Sequence, residues 1–208
     1  YVIGNKQGVF NWGRCDSMHD IEALMHRFPN SLVVCDQGGD LLAIRELREK
    51  YPGRVFLCYY RQDRKTMRLI EWGKDGERGK VTVDRNRVMQ QVVDELRDKR
   101  LPLWGGKDDY WQMWQHFANI YREVEEDAVG NERFVWQRSG PDHLCHALLY
   151  WRVGMDKFWN SDAPRFVTGT TVSKVIGAQK SWENMYDDRM PVSVPNLAFE
   201  DKSDWRDV

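Results

Sequence analysis

The stretch Leu32-Val33-Val34-Cys35-Asp36-Gln37-Gly38-Gly39 decides how the rest of the chain is read. Its run of apolar residues has no polar face, which predicts a strand covered on both sides, as in an α/β sheet. The strand ends on a carboxylate and opens at once into two glycines, which let the backbone turn sharply and leave space beside the acid. A carboxylate in that place sits at the carboxyl edge of the sheet, where open α/β sheets build their sites.

Working outward, Ser17 followed by Asp20 reads as a helix cap, and Ile21, Leu24, Met25 and Phe28 recur at helical spacing until Pro29-Asn30. Residues 40–50 form a second helix and Val55-Phe56-Leu57-Cys58-Tyr59-Tyr60 a second continuous apolar strand. Strand, helix and strand with short links imply a parallel pair with a crossover. Three hairpins are expected: 1–12, Met67–Trp72 with Lys80–Asp84, and Glu123–Glu126 with Arg133–Gln137. Helices are expected over about 85–100, 107–120 and from Pro141 to about Lys157, with an extended tail beyond.

Composition bounds the function. The 208 residues are 41% hydrophobic and 30% charged with net charge -1, a globular composition without the basic field of a chain that coats nucleic acid. No apolar run approaches the roughly 20 residues that cross a bilayer, so no membrane role is expected. The spacing of Cys15, Cys35, Cys58 and Cys145 matches neither a zinc knuckle nor a redox pair, and three of them lie inside apolar strand or helix patterns, where reduced core thiols are the expectation. Ten tryptophans are a high count, and some are expected to face partners or solvent.

The late helix begins Pro141-Asp142-His143-Leu144-Cys145-His146-Ala147-Leu148-Leu149-Tyr150. At helical spacing Asp142, His143 and His146 fall within an arc of roughly 100°, opposite Leu144, Leu148 and Trp151. One carboxylate and two imidazoles facing one way suit Mg²⁺ or Mn²⁺, although imidazoles also take Zn²⁺. With Asp36 they could converge on one metal position. Tyr59-Tyr60-Arg61-Gln62-Asp63-Arg64-Lys65-Thr66-Met67-Arg68 is the best local basic patch for a phosphate backbone, and Arg85 and Arg87 extend it. Gly73–Lys80 has the wrong spacing for a phosphate loop and reads as a hairpin tip; Asp108-Asp109 reads as a helix start, and His19, His26 and His116 as structural or surface residues.

Three pieces in order carry a family resemblance: Val33-Val34-Cys35-Asp36-Gln37-Gly38-Gly39, Asp84-Arg85-Asn86-Arg87 opening a helix, and Pro141-Asp142-His143-Leu144-x-x-Ala147-Leu148-x-Tyr150. Residues 1–157 resemble the nuclease domain of tailed-phage large terminase subunits, a ribonuclease-H-like mixed sheet flanked by helices, with an inserted β-hairpin and related to Holliday-junction resolvases. Residues 158–208 form an extension without a counterpart. The resemblance implies cutting of concatemeric double-stranded DNA with two Mg²⁺ or Mn²⁺ ions about 4 Å apart. It implies Asp36 and Asp142 as catalytic acids, Asp36, Asp142, His143 and His146 as metal ligands, and Arg61, Arg64, Lys65, Arg68, Arg85 and Arg87 at the DNA. His146 stands where many relatives carry an Asp, which leaves open which of Asp142, His143 and His146 coordinates most.

The resemblance further implies an upstream terminase ATPase domain, a portal protein and a small terminase subunit as partners, and the host cytoplasm as location. The first strand of the fold, with its acid, is expected before Tyr1. A resolvase or transposase-like nuclease is the second expectation, and a non-catalytic domain docking through its tryptophan-rich helix and tail is the third.

Overall fold

A computed structural model describes residues 1–61, 68–74, 79–126, 130 and 132–160. Arg64, Lys65, the tip of the Gly73–Lys80 hairpin and all of the expected tail from residue 161 lie outside the described residues.

The anticipated strand is β3 (Val33–Asp36), and it pairs in parallel with β4 (Val55–Tyr60), Val34 opposite Phe56 and Asp36 opposite Cys58. Helix α2 (Leu41–Lys50) is the crossover between them, capped by Asp40, whose carboxylate accepts the Ala43 amide. Before β3 come the hairpin β1 (Val2–Asn5) and β2 (Gly8–Trp12) and the helix α1 (Met18–Arg27). Helix α1 begins on the anticipated cap, with Ser17 and Asp20 satisfying each other's backbone amides.

Strands β5 (Ile70–Trp72) and β6 (Lys80–Val83) are antiparallel as expected, but they join the main sheet. Strand β6 runs parallel to β4, giving one mixed sheet in the order β3-β4-β6-β5. Beyond it are α3 (Arg85–Arg97), a 3-10 turn at Lys107–Tyr110 and α4 (Trp111–Ala118), where one continuous helix was expected. The hairpin β7 (Ile120–Glu126) and β8 (Glu132–Arg138) reaches further from its turn than its sequence pattern, because strand pairing runs on through Arg122–Trp136, Tyr121–Gln137 and Ile120–Arg138. Helix α5 (His143–Asn160) closes the described chain.

Two apolar clusters explain why β4 carries no polar face. Val55 and Leu57 point into a cluster with Met25 of α1 and Ile44 and Leu47 of α2. Phe56 and Cys58 point the other way, into a larger cluster with Val88, Val92 and Leu96 of α3, Met113 and Phe117 of α4, and Leu144, Leu148 and Val153 of α5. The period-2 alternation of a strand is present, with an apolar layer on each side. The fold is therefore mixed α/β, a mixed sheet flanked by helices.

Helix α5 binds the hairpin sheet to the main sheet, since it packs against both β1 and β3. Trp151 lies against Gly4 of β1, and Gly154, one turn on, lies against Leu32 and Val34. A Cβ on Gly4 would stand 2.4 Å from Trp151 Nε1 and 2.5 Å from the Gly8 carbonyl oxygen, so there is room for hydrogen only. Gly4→Ala is expected to lower stability by about 1–3 kcal/mol through overpacking. Urea denaturation checks this: the midpoint falls while the slope is unchanged.

Candidate functional site

The loop before α5 is pinned from three sides. The Asn119 amide donates to the Pro141 carbonyl at 2.9 Å, the Ser139 amide donates to the Asn119 carbonyl at 2.8 Å, and the Leu144 amide donates to His116 Nδ1 at 3.0 Å. Asp142 occupies the cap position, its carbonyl accepting the amides of Cys145 and His146. Its side chain is not spent on capping. Oδ1 accepts from Arg138 at 3.2 Å, and Oδ2 lies 3.2 Å from His146 Nε2. Only 3% of Asp142 is exposed, so the carboxylate is held inside the fold by a cation from β8 and an imidazole from its own helix.

His146 continues inward. Its Nδ1 is 2.6 Å from the Tyr60 hydroxyl at the end of β4, and the Tyr60 and Tyr150 hydroxyls share a 2.7 Å hydrogen bond. The two tyrosine rings are nearly parallel, 18° apart. The result is a line of groups, Arg138, Asp142, His146, Tyr60 and Tyr150, joining β8, α5 and β4. Asp36 belongs to the same neighbourhood. It has the parity of Val34, which faces the α5 cluster, and its charge acts on His146, Tyr60 and Tyr150. Among the described residues its exposed carboxylate has no side-chain partner.

The electrostatics follow from burial and pairing. Burial raises the pKa of Asp142, but the charges and hydrogen bonds of His146 and Arg138 outweigh it, and the group sits below its usual range. Burial lowers His146 despite the opposing pull of Asp142. Burial also lowers His116, aided by His143, and pushes both site tyrosines up. The thiol of Cys35 is pushed up to about 12 by burial, so it is inert.

The expected cluster is thus partly assembled. Asp142 and His146 meet, and Asp36 lies near them. His143 does not share their direction: it is exposed and packs edge-on against His116 of α4, ring centroids 6.1 Å apart. The 100° arc failed at His143, whose ring packs against His116 of α4 instead of turning toward Asp142 and His146. His116, read as a structural or surface residue, has a structural part: it ties α4 to the first turn of α5. Its signal was absent from the sequence because its partner lies 28 residues on.

The basic patch is likewise divided. Arg61 is buried along its side chain and bound to Glu71 at 2.7 Å, so it braces β5 rather than facing solvent. Arg68 and Arg87 are exposed near the same edge. Arg85 sits 6.0 Å above the Tyr60 ring and its charge reaches His146, which places it in the site. Its buried Nε has no hydrogen-bond partner among the described residues. Of the tryptophan-rich helix, Trp111 is exposed and Trp114 buried.

Among the described residues no group of three or more His, Cys, Asp or Glu side chains converges as a metal cage. Asp142 and His146 bond each other, and the open donor is Asp36. A carboxylate such as Asp36 is the kind of oxygen donor that Mg²⁺ or Mn²⁺ takes, but these residues alone do not make a two-ion cage. No helix among the described residues is long and apolar enough to cross a membrane. No protein-family model, no curated protein and no solved structure matches the chain.

His116 and His146, with ordinary values of 6.5, are lowered in the fold, and Asp142, with an ordinary value of 3.8, is lowered too. Each group binds protons more readily unfolded, so stability is full above the unfolded values and falls with pH. Melting temperature is expected to drop first below about pH 6.5 through the histidines and again below about pH 4 through Asp142. In a thermal melt series, His146→Gln should shrink the first drop to the part that His116 supplies, and should weaken the second, because His146 helps to hold Asp142 low.

Proposed function

We propose that this chain is a metal-dependent endonuclease domain with a ribonuclease-H-like fold, the cutting domain of a viral DNA-packaging terminase. One observation carries the reading: the Asp142–His146 pair at the start of α5 contacts Tyr60 at the end of β4, and the charge of Asp36, at the carboxyl end of neighbouring β3, acts on both His146 and Tyr60. The two acids come from the elements on which the family resemblance rests, and Asp36 stands at the sheet edge where α/β sites form.

Asp36 and Asp142 would hold a divalent ion, which supplies Lewis acidity toward a phosphodiester when bound. Arg138 and His146 orient Asp142, and a carboxylate fixed on both oxygens loses little freedom when it engages a charged group. Arg85, with a buried unpartnered Nε beside the site, and the exposed Arg68 and Arg87 would receive the phosphate backbone of double-stranded DNA. A further carboxylate is part of this reading. The edge of β3 away from β4 carries no strand among the described residues, and a strand laid there would bring one to Asp36.

A non-catalytic docking domain is the second reading, favoured by the pairing of Asp142 with Arg138 and His146 and by the lack of a three-donor cage among the described residues. Plasmid nicking by the full-length protein decides between them. Nicking that requires Mg²⁺ or Mn²⁺ and falls at least about 100-fold in Asp36→Ala, with an unchanged melting temperature, supports the nuclease. Absence of metal-dependent nicking in the native protein supports docking, and preference for a four-way junction over linear duplex indicates a resolvase.

A further inference from the structure

The Tyr60–Tyr150 pair has no part in the metal chemistry, yet its contacts are the shortest in the site. Tyr60 ends β4 and Tyr150 lies one helical turn beyond His146 on α5, and their nearly parallel rings sit 6.2 Å apart. The Tyr60 hydroxyl is in reach of both His146 Nδ1, at 2.6 Å, and the Tyr150 hydroxyl, at 2.7 Å.

Counting hydrogens gives this line a direction. At pH 8 an imidazole carries one proton and each phenol carries one, so three hydrogens serve three contacts: Tyr150 with Tyr60, Tyr60 with His146, and His146 with Asp142. Asp142 is a carboxylate and can only accept. The imidazole hydrogen must therefore lie on Nε2 and donate to Oδ2 of Asp142. Nδ1 is left with a lone pair, which accepts from the Tyr60 hydroxyl, and the Tyr60 oxygen accepts from Tyr150. Every other arrangement leaves one contact without a hydrogen or sets a lone pair against the carboxylate. Both nitrogens of His146 are then engaged, and neither can bind a metal while the line stands.

Resting on the nuclease reading above, we infer that Tyr60, seated by Tyr150, is a positioning residue that fixes His146 as its Nε2–H tautomer and so sets the orientation of Asp142. His146 serves as the partner that steers the metal-binding carboxylate, and Tyr60 steers His146. Partners of this kind one step behind a metal-binding group commonly change activity about 10- to 100-fold when lost.

The test reads the tautomer directly, by long-range ¹H–¹⁵N correlation of the His146 ring in the full-length protein at pH 8, alongside DNA cleavage. The native protein is expected to show a single Nε2–H pattern. Tyr60→Phe keeps the ring and loses the hydroxyl. It should give an averaged tautomer pattern and a kcat lower by about 10- to 100-fold, with KM for DNA unchanged to within about twofold. Should Tyr60→Phe fail to fold, Tyr150→Phe removes the outer contact only and should shift the same pattern by a smaller amount. An Nδ1–H pattern in the native protein overturns the proposal, as does a His146 pattern untouched by either substitution. If the native pattern is Nε2–H and Tyr60→Phe disturbs it while neither protein cleaves DNA, the positioning role stands and the nuclease reading falls.

Discussion

Helix α5 crossing the sheet is the constraint on which the rest of the structure depends. It reaches β1 through Trp151 on Gly4, β3 through Gly154 on Leu32 and Val34, and α3 through the Arg152–Glu95 ion pair, 3.1 Å long and nearly buried. Its last described turns carry Lys157 over the rings of Phe56 and Trp72. An 18-residue helix held at so many points has little freedom to shift, so its first turn arrives at a fixed place. That place is the carboxyl end of β3 and β4, where Asp36 and Tyr60 stand. The packing of the helix body thereby positions the chemistry of its start.

The same economy governs the surrounding elements. Hairpin β7–β8 contributes Arg138 because the Trp136 amide donates to Asn86 at the start of α3, which fixes the hairpin base against the core. Helix α4 contributes His116, which accepts an amide of α5 that the cap residue leaves unmet. Asp142 can leave that capping duty to His116 and turn its carboxylate toward His146 and Arg138. A buried carboxylate with a cation on one oxygen and an imidazole on the other is compensated in charge and in hydrogen bonding. Such a group is satisfied without a metal, and His146 links it to Tyr60 at the end of β4.

How much of this was legible depended on range along the chain. The apolar runs at β3 and β4, the cap at Ser17 and the acid at Asp36 could be read because each rests on neighbours within a few residues. The direction of His143 could not. The spacing rule for helices placed it with Asp142 and His146, while the preference of its ring for His116 turned it away. Arg61 reads as a solvent cation in sequence, and only the addition of β6 and β5 to the sheet brings Glu71 of β5 within its reach. The joining of β5 and β6 to the main sheet was equally silent, because a hairpin pattern fixes its own pairing and says nothing about the strand on its outer edge.

The sequence by itself determined the strands, the helix starts and the acids that end or precede them, because strand alternation, helical periodicity and capping are local rules. It determined that Asp36 would stand at the carboxyl edge of a strand covered on both faces. Only the tertiary structure decided which groups Asp142 and His146 would meet. Tyr60 and His146 are 86 residues apart, and their 2.6 Å contact exists because the packing of α5 brings the end of β4 beneath its first turn. Hydrogen bonds act over about 3 Å and require aligned donors, so a pattern read along the chain names the participants but not the pairs.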